Sequence, residues 1–109
     1  MSNLHETKVY KNYVGRWVAE SQIELKNDLL LTIKTQKSSD KNSILSIASV
    51  AKIDGLFLTH SLNVDYYVLI NAIECNRVTK CAIEKAHIFA LGYDDTIIKQ
   101  VNEFYNLGA

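Results

Sequence analysis

Several residue types are scarce or absent in this chain of 109 residues, and each absence narrows what the protein does. There is no proline, and the four glycines stand isolated at positions 15, 55, 92 and 108. A phosphate-binding loop needs clustered glycines, so the sequence predicts no such loop. No stretch approaches the roughly 18 apolar residues of a membrane-spanning helix. Residues Met1 to Glu6 show neither a basic start nor an apolar run, so we expect a cytoplasmic chain without a secretory signal.

Cysteine and histidine are also scarce, with Cys75, Cys81 and histidines at positions 5, 60 and 87. Structural zinc sites usually draw on cysteine pairs at closer spacing, so we expect two free thiols and no metal or other cofactor. A nucleophilic Cys81 with His60 or His87 as its base would need a third group to orient the imidazole. No local pattern supplies that group. We therefore expect a protein that is not an enzyme, and we keep a Cys/His enzyme as the alternative.

An excess of charge of either sign is missing as well, because 12 Lys and Arg balance 12 Asp and Glu. Residues 1–60 carry eight basic and six acidic side chains, and residues 61–109 carry four and six. Proteins that bind nucleic acids or membrane surfaces usually carry an excess of Lys and Arg. The balance argues against both classes of partner. A nucleic-acid role would require a three-dimensional clustering of basic residues that the sequence does not show.

The hydrophobic content of 48% is that of a folded protein, and the length fits a single domain spanning 1–109. Residues 16–36 alternate between apolar and polar around Asn27-Asp28, which predicts a hairpin. Residues 43–53 are rich in Ile and Val, which favours a strand over a helix capped by Ser43. Asp54-Gly55 predicts a tight turn into a return strand over 56–62. The near-continuous apolarity of 66–75 predicts a central strand, and Lys8 to Tyr13 an added edge strand.

The hydrophobic period changes after residue 76 and favours helices. Over 79–91 one arc carries Ala82, Ile83, Ala86, Phe89 and Ala90, and the opposite arc carries Lys80, Glu84 and His87. A strand over 78–90 stays open as an alternative. Thr79 is the predicted cap of this helix, and Gly92 its left-handed end.

A last helix is predicted from an apolar stripe that begins after Asp94 and Asp95. Either aspartate would cap the helix, and Gly108 would end it. The stripe consists of Ile97, Ile98, Val101, Phe104 and Tyr105. The chain as a whole therefore predicts an α+β fold, with an antiparallel sheet of five to six strands followed by one or two C-terminal helices packed on one face.

The segment Val14-Gly15-Arg16-Trp17 resembles the opening of lipocalins and fatty-acid-binding proteins, in which the tryptophan closes one end of a ligand-holding barrel. The likeness covers four residues. The chain is shorter than those barrels and ends in amphipathic helices instead of further strands. For these reasons no residue's role is carried over from that family.

Tyrosines are the candidate contact residues, because tyrosine is enriched in protein interfaces. The predicted partner-binding set is Tyr10, Tyr13, Tyr66, Tyr67 and Tyr93. Each of them also fits a place at the edge of the core.

These observations predict a small protein-interaction module that acts by binding another protein, such as an inhibitor, an immunity factor or an anti-defence protein of a phage or mobile element. The alternative is a small-molecule or nucleotide binder with an apolar pocket between sheet and helices. A homodimer is also predicted, from the edge strand and from a stripe on the last helix that is wider than one sheet face covers.

Overall fold

The computed structural model describes residues 4–25, 29–39, 41–52 and 66–105, and the side chains of 7–25, 29–39, 41–51 and 67–105. Five strands are followed by two helices. The strands are β1 (Leu4–Lys11), β2 (Trp17–Glu24), β3 (Leu29–Lys37), β4 (Ser43–Lys52) and β5 (Tyr66–Glu74). The helices are α1 (Lys80–Leu91) and α2 (Asp94–Phe104). None of the helices in the described part of the chain is long and apolar enough to cross a bilayer.

The strands form one antiparallel sheet in the order β1-β2-β3-β4-β5, so each strand pairs with its neighbour in sequence. Both helices pack against one face, which we call the inner face; the other is the outer face. The predicted α+β architecture is confirmed. The turns predicted at Asn27-Asp28 and Asp54-Gly55 and the strand over 56–62 lie outside the described residues. Gly108, the predicted end of the last helix, also lies outside them, but α2 already ends at Phe104, so that prediction is wrong.

The prediction of a central position for the last strand is wrong, because β5 lies at one edge of the described sheet. Its apolarity has another origin. Val68 and Ile70 pack against the core, while Tyr67 and Leu69, on the outer face, are exposed. The continuous apolar sequence of β5 thus reflects one buried face and one exposed apolar face, and the strand is not buried on both sides.

The link between β1 and β2 is a tight turn organised by Asn12. Its side-chain oxygen Oδ1 accepts hydrogen bonds from the backbone N–H groups of Val14 (3.1 Å) and Arg16 (3.0 Å). Gly15 adopts a φ of 80°, a left-handed conformation that a residue with a Cβ rarely takes. The turn fixes where the chain enters β2 and so places Arg16 and Trp17 at this end of the sheet.

Among the described residues, the buried side chains of the inner face form two clusters, one toward each end of the sheet. The first joins Ile23 and Leu31 of the sheet to Ile97 and Val101 of α2. The second joins Ala19 and Ile44 to Ile83 and Ala86 of α1, with Trp17 and Val78 packed at its side. The buried residues of α2 thus belong to the first cluster, whereas Trp17 packs against the second.

Residues 80–91 form a helix, which settles the alternative left open by the sequence in favour of α1. The hydroxyl of Thr79 caps it by accepting a hydrogen bond from the N–H of Ala82 (3.1 Å), as predicted. The predicted faces are wrong at two positions, since Phe89 is 53% exposed and His87 is buried at 2% exposure. The inner face offers hydroxyl groups at the level of His87, which explains its burial.

The start of α2 differs from the prediction. Asp94 and Asp95 lie in its first turn, and Tyr93 occupies the cap position without a side-chain hydrogen bond. Carboxylates in a first turn still favour the helix, because they face the partial positive charge of its N-terminus. Gly92 has a right-handed φ of −62° instead of a left-handed one, because the chain passes directly from α1 into α2.

Candidate functional site

The four predicted contact tyrosines whose side chains are described lie on different parts of the molecule. Tyr10 lies on the outer face of β1 and Tyr67 on the outer face of β5, at opposite edges of the sheet. Tyr13 is 99% exposed in the β1–β2 turn, and Tyr93 is exposed in the other layer, between α1 and α2. Tyr66 begins β5, but its side chain lies outside the described set. A single partner footprint over all five is therefore not supported.

Tyr10 has a local role in the sheet. Its hydroxyl donates a hydrogen bond to Oε1 of Glu20 on β2, at 2.8 Å. Burial, and secondly this bond to a carboxylate, raise the pKa of Tyr10 to about 12. The phenol therefore stays protonated at all ordinary pH values, and the pair joins β1 to β2.

The edge strand β5 carries the most exposed apolar surface among the described strands. Tyr67 is 68% exposed and Leu69 is 55% exposed, and both are on the outer face beside Ile47 of β4. Ala72 and Ile73 further along the strand are exposed as well. Over these positions no charged side chain interrupts the strand before Glu74. We call Tyr67, Leu69, Ala72 and Ile73 the β5 surface.

The opposite edge strand, β1, is protected differently. Lys8 and Lys11 are exposed on it, and lysine on an edge strand discourages pairing with another chain, since a new neighbour would desolvate the ammonium group. The two edges of one sheet thus have contrasting chemistry. The sequence contains this contrast, but β5 cannot be recognised as an edge strand until the strand order is known.

A row of hydrogen-bonded polar side chains crosses the inner face below α1. The imidazole Nε2 of His87 lies 2.7 Å from Oγ of Ser21, and Nδ1 lies 2.8 Å from Oγ1 of Thr35. The row continues from Ser21 to Thr7 (2.7 Å) and from Thr35 to Ser46 (2.8 Å). We call these five residues the His87 row. Burial lowers the pKa of His87, while the smaller influence of the Glu20 charge opposes the shift.

The His87 row is unsuited to nucleophilic catalysis although it contains serine and histidine. Ser21, Thr35 and Ser46 have no exposed surface, so a substrate could not reach a hydroxyl nucleophile there. Thr35 orients Nδ1 and Nε2 faces Ser21, but a neutral hydroxyl in the orienting position does not stabilise the charge of an imidazolium as a carboxylate would. The row is a satisfied polar layer within an apolar core.

The two cysteines do not form a disulfide. Cys75 donates a weak hydrogen bond from Sγ to the carbonyl of Arg77 (3.2 Å), and Cys81 is exposed on α1. Within the described residues, no three His, Cys, Asp or Glu side chains come together as metal ligands. His60, the other histidine weighed as a base for Cys81, lies outside the described residues.

Two surface grooves lie at the end of the sheet that carries the β1–β2 turn. The first, of about 430 Å³, is lined by Asn12, Val14, Arg16, Gln36, Lys37, Ser38, Ser39, Leu45 and Ile47. The second, of about 340 Å³, is lined by Gly15, Arg16, Trp17, Lys37, Asn76, Arg77 and Val78, and we call it the Trp17 groove. Neither lies between the sheet and the helices, where an apolar pocket was the alternative expectation.

Sequence reasoning did not find the His87 row, although a signal for it exists. Each of the three central strands carries one small hydroxyl residue among apolar inward positions: Ser21, Thr35 and Ser46. The strand register aligns them, and a helix crossing at that level needs a polar residue to face them.

No protein-family model, curated protein or solved structure matches this chain.

Proposed function

We propose that this protein is a cytoplasmic protein-interaction module that binds a partner protein by extending its sheet at β5. The observation that supports this is the β5 surface, an apolar stretch on a nine-residue edge strand. A strand at the edge of a sheet directs the N–H and C=O groups of every second residue outward, and no further described strand pairs with that side of β5, so roughly four of its residues could pair with a new strand.

Binding by strand addition would use both the outward backbone groups of β5 and its exposed apolar side chains. Backbone hydrogen bonds give the added strand its register and much of its affinity, and side-chain contacts give it specificity. On β5 those contacts come from Tyr67 and Leu69, whose rings and methyl groups leave water when a partner covers them. An inhibitor, immunity or anti-defence protein that blocks its target by contact would work in this way.

The proposal is tested by capturing partners from the native host's lysate with three forms of the protein. Leu69→Lys places a charge on the exposed outer face of β5, and Ile88→Lys makes the same kind of change at an exposed position of α1. We expect a stoichiometric partner with the wild type and with Ile88→Lys, and none with Leu69→Lys. Far-ultraviolet circular dichroism verifies that all three are folded.

Hydrogen exchange on the captured complex locates the contact. We expect slower exchange of β5 amides in the complex than in the free protein, with β1 amides unchanged. A partner that binds all three forms equally, or protection of β1 instead of β5, would contradict the proposal.

A further inference from the structure

Basic side chains converge at the Trp17 groove from separate parts of the chain. They come from the end of β1, the β1–β2 turn, the end of β3, the β5–α1 link and the first residue of α1. Arg16, Lys37 and Arg77 line the groove, and Lys11 and Lys80 lie over the indole ring of Trp17, which forms part of its wall. Five of the chain's 12 basic residues thus lie along the groove or over its tryptophan, although the chain as a whole is neutral.

Trp17 holds two of these cations in place. The ammonium of Lys11 lies 5.1 Å from the centre of the indole ring, and that of Lys80 lies 5.2 Å from it. Both distances are within the range of cation–π attraction, which restrains an ammonium group without neutralising it. The two side chains are therefore oriented before any ligand arrives.

Within the described part of the chain, the cations are not held in close ion pairs. None of the five forms an ion pair with a carboxylate within the described ranges. Lys37 donates to the carbonyls of Ser38 (3.0 Å) and Lys41 (3.1 Å), which also leaves its charge in place. Like charges gathered without counter-charges repel one another and destabilise the fold, so this arrangement favours binding of an anion.

We infer that the Trp17 groove binds a phosphate-bearing small molecule of nucleotide size. The volume of about 340 Å³ is in the range of small-molecule sites. Arg16 and Arg77 line it, and guanidinium groups match the geometry of phosphate oxygens with paired hydrogen bonds. Trp17 and Val78 add an apolar wall for the uncharged part of the ligand. A site of this kind goes beyond binding of a partner protein at β5.

The distribution of charge favours a compact ligand over a long nucleic acid. A nucleic-acid backbone is bound by basic groups spread along a stripe, on proteins whose overall charge attracts it. Here three cations line one small groove and two more lie over its tryptophan, and the net charge of the chain is zero. Several phosphate charges close together, as in a polyphosphate chain, match that geometry.

The single tryptophan provides a direct measurement, because its fluorescence reports on the groove alone. Inorganic triphosphate, adenosine triphosphate, a ten-nucleotide single strand and citrate are titrated separately. We expect saturable changes with triphosphate and with the nucleotide, and at least about tenfold weaker binding of both by Arg16→Gln/Arg77→Gln, since each arginine supplies charge-assisted hydrogen bonds. Lys99→Gln, on exposed α2 surface, serves as the matched control and should bind like the wild type.

Each result decides the proposal. Equal binding of triphosphate and nucleotide would show that the phosphate chain is recognised, and tighter nucleotide binding that the base adds contacts; both support the site. Tighter binding of the oligonucleotide than of either would overturn it in favour of nucleic acid. Citrate binding as tightly as triphosphate, unchanged affinity in the double variant, or no saturable signal with triphosphate would also overturn it. Thermal melting confirms that the variants are folded.

Discussion

The imidazole of His87 is fixed by hydroxyl groups on both sides, so its protonation is coupled to the folded state. A neutral imidazole donates from one nitrogen and accepts at the other, and Ser21 and Thr35 accept and donate as required. A second proton would place a charge in the core, where burial already lowers the pKa of His87. The same residue was expected on the polar arc of the helix, because helical periodicity alone cannot show that the sheet supplies polar partners.

Acidification should therefore destabilise the protein. Because the pKa of His87 is lowered in the folded state, the unfolded chain takes up its proton first as the pH falls. The stability from neutral His87 is fully present above about pH 6.5, and is lost below it by at most about 1.4 kcal/mol per pH unit. Urea unfolding between pH 5 and 8 measures this. In His87→Gln the part of the pH dependence of the unfolding free energy that comes from this histidine should disappear. The same pH dependence in the wild type and the variant would contradict the role of His87.

Thr35 is expected to matter more than its chemistry suggests, since its hydroxyl bonds both His87 and Ser46. Thr35→Val keeps the shape but leaves two buried polar groups without this partner, so we expect a loss of about 1–3 kcal/mol in the free energy of unfolding. Thr32→Val on the outer face of the same strand, half-buried, is the control and should change stability by less than about 0.5 kcal/mol. Equal losses in urea unfolding would contradict the role of the row.

At the scale of elements, hydrophobic periodicity predicted well which segments are strands and which are helices, but it predicted poorly where a strand lies in the sheet. The 16–36 hairpin, the strand at β4 and the two helices follow from alternation or from the helical repeat, which depend on neighbouring residues alone. The edge position of β5 depends on strand order, which local sequence does not contain. The end of α1 and the start of α2 were predicted incorrectly because the chain passes directly from one helix to the next, so Gly92 is not left-handed and neither aspartate is the cap.

The correctly predicted cap of α1 can be tested by itself. Thr79→Ala removes the acceptor for the N–H of Ala82, and we expect a loss of about 1 kcal/mol. Thr79→Ser keeps a hydroxyl at that place and should recover most of it. Thermal unfolding of the three proteins gives the order; if serine and alanine behave alike, the hydroxyl does not stabilise the helix.

At the scale of the whole molecule, the charges balance along the sequence but are unevenly distributed over the folded structure. The basic residues around Trp17 are far apart in sequence, so counting charges in the two halves of the chain could not reveal them. The expectation that clustering was absent rested on sequence position, and folding brings Lys11 and Lys80 to one ring. Neither the basic side chains of this site nor its location was predicted, because both depend on which distant segments the fold brings together.

The homodimer stays a prediction at this scale. Phe104 on α2 is 58% exposed, in keeping with a stripe that one sheet face does not fully cover, and β5 is a second place for self-association. Light scattering at about 10 to 500 μM protein should show a molecular mass that rises with concentration toward twice that of the chain. This range covers the micromolar dissociation constants expected for such contacts. Leu69→Lys should remain monomeric if β5 is the contact, and a constant monomer mass in the wild type would refute dimerisation.

The contrast between the two edges also limits how far copies can assemble. If two copies pair through β5, a two-fold axis relates them and the lysine-bearing β1 strands become the outer ends of a ten-stranded sheet. Further addition would bring Lys8 and Lys11 against their equivalents, so growth stops at two copies and no filament forms. A foreign partner that uses β5 must then compete with the second copy. Its apparent affinity should fall as the concentration of this protein rises.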